Sequence, residues 1–466
     1  MYSFRPLRPR GWLLLAIGVL ALFLAFVLGR RDLLTLAVFC FALPAVACGA
    51  LYLVKPGFTV KRRLSPTLGR VGSPVEATLD VHGRSPGGSR TRLVEELPFS
   101  FRDAPSFNHP QPVVPRGLLS RYHYTLHPSH RGVFTIGPLR GLFADPFDVA
   151  FVPRLLDGGT RLTIAPAAVE LPPISLTDGR GQDGSRSIKE LAHASSDDAM
   201  TREYRYGDPL RRVHWAVTAR QGKLMVRADE SVTTPEAALV LDRRAGAFGP
   251  VPRSRELFQI AGRSATSLPE LRTTPAFEAA VVAAMSVAAH LLEHGYTLRI
   301  LDHQGQPGFA SSASAVVPGC EEFSGSQGVI DIAAALAAQE LSEAAPGAAG
   351  AGTGEPGEAQ GHASSTQETA FADPLAHKLH GGRRRGPLVA VTGLLSAADA
   401  LLLAGISEST QSAYALLLCQ DPDEAAPALA ILRRAGWQAA ALTPTAHLAH
   451  VWTQLDQPWA TTGNQR

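Results

Sequence analysis

The stretch "REYRYGDPLRRVHWAVTARQGKLMVR" (202–227) gathers six arginines and one lysine against two acids, with aromatics interleaved and Gly-Asp-Pro near its centre. Such a composition suits three chemistries: phosphate binding, nucleic-acid binding and protein docking. A phosphate cradle needs a glycine-rich loop entering a helix N-terminus, and here a single Gly207 precedes Asp208, whose carboxylate repels phosphate from that helix end. A dedicated polyanion binder shows its basic footprint in the chain total, yet 466 residues carry a formal net charge of only +3, so no nucleic-acid partner is expected. Docking remains, because arginine and aromatic side chains are the types enriched at the energetic centres of protein interfaces. The candidate partner-binding residues are Arg202, Tyr204, Arg211, Trp215 and Arg220. The alternative assigns the same Arg202–Arg220 cluster to an enzyme or binding protein for an anionic, envelope-related ligand. A third possibility makes Tyr204 and Trp215 core aromatics with arginine stems laid over them.

Asp208 followed by Pro209 has the form of an N-cap and first helical residue, which predicts a turn at Gly207 and a helix from there to about Ala219, ended by Gly222. Residues around Arg202 and the "KLMVR" run (223–227) read as strands on either side. Elsewhere the chemistry is sparse. His290 and His294 are four apart on a helix, but "HLLEH" lacks the glutamate position of H-E-x-x-H, and no G-x-S-x-G surrounds a serine. The four cysteines form no CxxC or Cys/His cluster. No catalytic set, metal or cofactor is expected, and the chain is not read as an enzyme.

The elements that position this stretch are legible in the hydrophobic pattern. Gly11 to Gly29 holds no charge, and at 1.5 Å per residue such a helix reaches roughly 28 Å, close to the thickness of a bilayer core. A second uncharged run, Leu33 to Val54, follows after Arg30, Arg31 and Asp32 alone, which predicts a transmembrane helical hairpin over residues 1–55. The absence of an A-x-A site and the immediate second span set it apart from a cleaved signal peptide. Arg5, Arg8 and Arg10 precede the first span and Lys55, Lys61, Arg62 and Arg63 follow the second. By the positive-inside rule both ends face the cytoplasm, so the expectation is a two-span cell-membrane protein with cytoplasmic soluble domains. Residues 56–172 are strand-like, with "VEATLDVH" (75–82), "RYHYTLH" (121–127) and "GVFTIG" (132–137) alternating well, and they predict a small all-β, sandwich-like domain. The "PSHR" link between the last two runs is expected to be a hairpin turn, and "PGGS" (86–89) a loop tip. Residues 173–235 form the arginine/aromatic region. From 236 to 466 apolar strand runs alternate with helical periods, which predicts a doubly wound α/β domain with a parallel sheet. A Gly/Ala/Ser/Glu-rich tract at about 344–385 is expected to be a flexible insert.

The motif R-x-Y-x-x-G-D-x-x-R-x-x-x-W-x-x-T-A-R, made here by Arg202, Tyr204, Gly207, Asp208, Arg211, Trp215, Thr218, Ala219 and Arg220, resembles the signature of the bacterial family catalogued as domain of unknown function 58. "HRGVFTIGP" (130–138) and "DPF" (145–147) are similar to that family's upstream β region, with Asp148 where a glycine is usual. The resemblance implies a von Willebrand factor A-like α/β domain and a MoxR-type AAA ATPase as partner. It also raises a metal-ion-dependent adhesion site, which needs D-x-S-x-S after the first strand to ligate a hard cation. Asp242 is instead followed by Arg243, Arg244, Ala245 and Gly246, and the later strand ends in Thr392-Gly393 where Asp-Gly is usual. Asp242 is therefore expected to pair with a neighbouring arginine.

Overall fold

The computed structural model describes residues 7–53, 57–83, 91–98, 100–101, 104–110, 113, 118–173, 201–204, 213–227, 235–250, 271–342, 371, 373–380 and 386–456. Two apolar helices, α1 (Pro9–Leu28) and α2 (Arg31–Leu53), pack against each other as a pair. Each leaves most of its surface uncovered, as a lipid-facing helix does, and both are long and apolar enough to cross a membrane. Pro44 sits inside α2.

The β region follows directly: β1 (Phe58–Ser65), β2 (Leu68–Arg70), β3 (Val75–Gly83), β4 (Thr91–Glu95), β5 (Ser106–His109), β6 (Leu119–Leu126), β7 (Gly132–Ile136), β8 (Leu139–Ala144), β9 (Phe151–Leu155) and β10 (Thr160–Ala165). They form three small sheets, ordered β1-β3-β6, β2-β10-β7 and β5-β4-β8-β9. Alternation gives each strand its inward face: along β3 every second residue, Val75, Ala77, Leu79 and Val81, is buried. The strands on either side of "PSHR" are where the pattern puts them, but they do not form a hairpin. β6 pairs with β3 and β7 with β10, so the link carries the chain from one sheet to another. Alternation reveals a strand and its inward face, not its neighbour. The "PGGS" tip lies outside the described residues.

Two short strands, β11 (Thr201–Glu203) and β12 (Met225–Arg227), flank helix α3 (Trp215–Gln221). The α/β region then runs β13 (Glu236–Leu241), α4 (Pro275–Glu293), β14 (Thr297–Asp302), β15 (Glu322–Phe323), α5 (Gly325–Ala337), α6 (Asp373–His380), β16 (Pro387–Thr392), α7 (Ala397–Gly405), β17 (Ser412–Leu418), α8 (Pro422–Arg434), β18 (Gln438–Leu442) and α9 (Leu448–Gln454). Its sheet order is β15-β14-β13-β16-β17-β18, parallel except for β15 at the edge. Successive strand residues serve opposite faces. Leu239 and Leu241 join a core with α4, α5 and α9, whereas Val240 joins another with α6, α7 and α8. Helix α4 also has the length and hydropathy of a span, but 72% of its apolar window is buried, so its hydrophobicity serves the core.

The tract at 344–385 is not uniformly loop. Residues 343–370 and 381–385 lie outside the described set, but Phe371 and Leu375 are buried in the α6–α8 core, and α6 closes over the sheet. The low-complexity composition of the preceding stretch masked this short apolar anchor.

A buried arginine joins the β and α/β regions. Arg131, in the "HRG" stretch and only 3% exposed, donates from Nε and Nη2 to both carboxylate oxygens of Glu278 at 2.9 Å. Its Nη1 donates to the carbonyls of Leu336 and Gln339 at 2.7 Å, and its guanidinium lies 5.7 Å from the centre of the Phe277 ring. The first of these lies in the last turn of α5 and the second just beyond its end, where the helix dipole favours a cation. Trp452 Nε1 to the Pro172 carbonyl, 3.1 Å, and Val169 N–H to Ser286 Oγ, 2.9 Å, add to the same junction.

Candidate functional site

The arginine/aromatic stretch folds as a strand pair crossed by a short helix. β11 runs antiparallel to β12, with Arg202 opposite Val226, and the Tyr204 N–H extends the ladder to the Leu224 carbonyl at 2.8 Å. Val213 bridges Val226 from the other side, and both are buried. This bridge is where the structure departs from the expected helix. Val213 is extended and β-paired, so the helix begins only at Trp215, with His214 as its N-cap: its Nδ1 accepts from the Val217 N–H at 3.3 Å. Burying a β-branched valine against β12 holds the backbone out of the helical region at residue 213. The helix ends at Gly222 as expected, with that glycine left-handed at φ 68°. Gly207, Asp208 and Arg211 lie outside the described residues, as does the side chain of Arg202.

No residue of α3 is buried. Thr218 turns toward β12, where its Oγ1 accepts the Met225 N–H at 3.0 Å, and Tyr204 is half-buried. Trp215 turns away and is 66% exposed, so it is not a core aromatic. Arg220 is exposed in the last turn. Five positions separate them, about 140° around a helix, so they bracket one broad solvent-facing side and do not stack. Lys223 and Glu203 make a surface ion pair at 2.8 Å beside it.

A second cluster stands at the carboxyl end of β13. The chain reverses direction across the sheet there: β14 lies to one side of β13 and β16 to the other, the place where ligands bind in open α/β sheets. Here the place is filled from within. Arg244 Nε donates to both oxygens of Asp242 at 3.0 and 3.2 Å, and Nη2 to Oδ2 at 2.9 Å. Arg244 Nη1 reaches Asp399 at 3.1 Å, and Phe371 covers the guanidinium with its ring centre 4.8 Å away. Asp242, Arg244 and Phe371 are all buried. The expected pairing of Asp242 with a neighbouring arginine is thus present, and the partner is Arg244. His303, also buried, places Nδ1 4.0 Å from Asp242 Oδ1, and burial pulls its ring below the ordinary histidine range despite the nearby Asp242 and Asp302. Among the described residues no group of three or more His, Cys, Asp or Glu side chains is arranged to hold a metal.

Residues 200–261 match the family model described as "Protein of unknown function DUF58". This segment is a DUF58 family domain. No curated protein matches the chain. The DUF58 segment contains the α3 side and the Asp242–Arg244 pair, since it runs from β11 through α3, β12 and β13 to beyond that loop, whereas His303, Phe371 and Asp399, which complete the second cluster, lie outside it. The two differ in what they offer a ligand. The Asp242–Arg244 pair spends its charges on each other and lies under Phe371, so it braces the carboxyl end of the central strand β13. The α3 side presents an indole and a cation to solvent.

The histidine pair likewise has a packing role. The rings of His290 and His294 lie 4.2 Å apart, His294 Nδ1 contacts the His290 carbonyl at 2.7 Å, and Trp452 packs edge-on against His290. Burial first, and His294 second, push His290 down to about 4. Arg131 is a structural position that residue types alone did not single out, although it stands in a quoted motif. Its signal was an arginine at the head of an apolar strand.

Proposed function

We propose that this chain is a membrane-anchored interaction protein, held by two N-terminal spans with its soluble regions in the cytoplasm. It uses the exposed side of α3 in its DUF58 segment to hold a protein partner, for which the resemblance suggests a MoxR-type AAA ATPase. The parallel sheet covered on both faces supports the von Willebrand A-like reading of the α/β region, and we assign it no reaction. The observation that carries the proposal is Trp215. An indole left 66% exposed on a short helix fixed by its caps and by the Thr218–Met225 hydrogen bond is a pre-ordered anchor of the kind that dominates interface energies. Arg220 adds a cation that no described acid neutralises.

The test is capture from solubilised membranes, with and without ATP, using the full chain and its Trp215→Ala and Arg220→Ala variants. The tryptophan change should weaken capture of an ATPase by about 2 kcal/mol, roughly thirtyfold, and the arginine change by less. Undiminished capture by both variants would remove the site from this reading.

A further inference from the structure

The "DPF" stretch is a rigid turn seated at the root of the hairpin. The Asp145 carboxylate accepts from three backbone N–H groups, those of Phe147 at 2.8 Å, Val149 at 2.8 Å and Ala150 at 2.5 Å, which fixes the loop between β8 and β9. Asp148 adopts the left-handed conformation, φ 59°, a position where glycine is the easy choice and aspartate is among the few tolerated alternatives. The turn is bound to the start of α1. Leu7 bridges Ala150, the Arg8 N–H donates to the Val149 carbonyl at 2.9 Å, and Arg8 ion-pairs with Asp148 at 2.9 Å. Gly11 makes the approach possible, because a Cβ there would stand 2.6 Å from the Val149 oxygen. On the other arm, Arg154 Nη2 donates to the carbonyls of Leu51 and Tyr52, which end α2, at 2.9 and 3.1 Å.

These contacts set a depth. Gly11 opens the uncharged run of α1 and Leu51 nearly closes that of α2, so both mark the same bilayer boundary. Trp12 and Tyr52, exposed on the two helices at this level, are the residue types that settle at membrane–water interfaces. Val149 and Arg154 touch the helices at that depth, and beside them Phe147 and Leu155 are 62% and 61% exposed. Arg8 and Arg10 flank them, sharing Asp148 at 2.9 and 3.9 Å, so this level carries one net positive charge beside the apolar pair.

We propose that Phe147 and Leu155 insert into the headgroup–acyl boundary of the bilayer that holds the hairpin, so that the β region lies on the membrane and does not hang free below it. The inference rests on the membrane-anchor reading and commits to lipid as the occupant. Two exposed apolar side chains, continuous with an embedded helix pair and rimmed by arginines, are the composition of an interfacial anchor. The turn around Asp145 makes the wedge stiff, so the soluble regions take one orientation relative to the bilayer.

The experiment places the photo-cross-linker p-benzoylphenylalanine at single positions of the full chain in vesicles of phosphatidylethanolamine and phosphatidylglycerol. Lipid adducts are then read by mass. Position 23, on the exposed face of α1, reports whether the hairpin is in the bilayer, and position 401, on α7 across the sheet from the β region, is the water control. Adducts at 147 and 155 should fall within about threefold of those at 23 and far above those at 401, since the boundary holds acyl carbon at that depth. Adducts at 23 with none at 147 or 155 would overturn the proposal and leave the anchor standing. Protein adducts at 147 would do the same, by giving the wedge to a partner. Absence of lipid at 23 as well would bring down the anchor and the proposal together.

Discussion

Among the described residues, the buried clusters centred on Arg62 and on Arg244 are built differently. In the β region, Arg62 draws together segments far apart in the chain: Nη1 donates to Asp157 at 2.8 Å and Thr160 at 3.1 Å, and Nη2 stands 2.6 Å from Glu95 in an ion contact without hydrogen-bond alignment. Arg62 and Glu95 have fully buried side chains. In the α/β region, Arg244 turns back on an aspartate two residues before it, makes three aligned contacts to it, and is roofed by Phe371. The contrast shows in the protonation behaviour. Burial pushes the Glu95 carboxyl up to about 7, with Arg62 opposing that rise and Asp157 adding to it. Burial also works against the Arg62 and Arg244 charges, and in both cases the neighbouring carboxylates more than offset it, so both guanidiniums are held above their ordinary range. A buried ion pair supports its fold in proportion to how well its hydrogen bonds are aligned. By that measure Arg244 is a brace and Glu95 is a titratable weak point.

The sharpest way to break the comparison is to remove the better arginine. Arg244→Ala leaves Asp242 buried and uncompensated and should cost about 3–5 kcal/mol in denaturant unfolding of the α/β region. Pairing Arg244→Met with Asp242→Asn should recover most of the loss. A single variant as stable as wild type would show that water or other groups already neutralise Asp242.

The next effect is one of pH, and it takes opposite signs in the two regions. Glu95 holds its proton more tightly folded, at about 7, than unfolded, near 4.5, so its contribution is fully present in acid and is lost as pH rises from about 4.5 to 7. That difference corresponds to about 3 kcal/mol. His290 is depressed to about 4 from 6.5, so its contribution is present above 6.5 and is lost as pH falls toward 4, again by about 3 kcal/mol. Region-resolved hydrogen exchange, corrected for intrinsic rates, should show the β strands gaining protection toward acid and α4 losing it. Glu95→Gln should flatten the first slope alone. Parallel slopes in both regions would contradict the assignment.

Smaller again is the junction. Arg131→Ala removes a bidentate ion pair whose acid, Glu278, is 37% exposed, along with two carbonyl contacts. The exposure of that partner discounts the loss to about 2 kcal/mol. It should appear as uncoupling of the two regions, with a separate β transition in calorimetry, and Arg131→Lys should fall between. The smallest expected change is Trp215→Ala, at most about 0.5 kcal/mol in stability, because the ring touches little of its own protein. A large destabilisation would place the indole in an internal role.

Much of the architecture was legible because it is periodic. The uncharged runs of α1 and α2, the alternation of β3 and the apolar runs of β13, β16 and β17 each report a local burial pattern that the folded chain then satisfies. The motif at 202–220 was visible as composition, but the single helix expected through Val213 and His214 is broken there. What interrupts it, the Val213–Val226 bridge, is a pairing between residues 13 apart, which no local pattern reports.

The amino-acid sequence by itself determined which segments are apolar helices, which are strands, and that Asp242 lacks the serines of a cation site and stands next to arginines. Only the tertiary structure decided which arginine takes Asp242, that Phe371 from beyond a low-complexity tract roofs the pair, that β6 and β7 belong to different sheets, and that Arg131 reaches α5 some two hundred residues away. The physical reason is range. Propensity and periodicity act over a few residues and are written in the chain. The partner of a buried charge is set by which distant segment desolvates it, and desolvation exists only once the chain has folded.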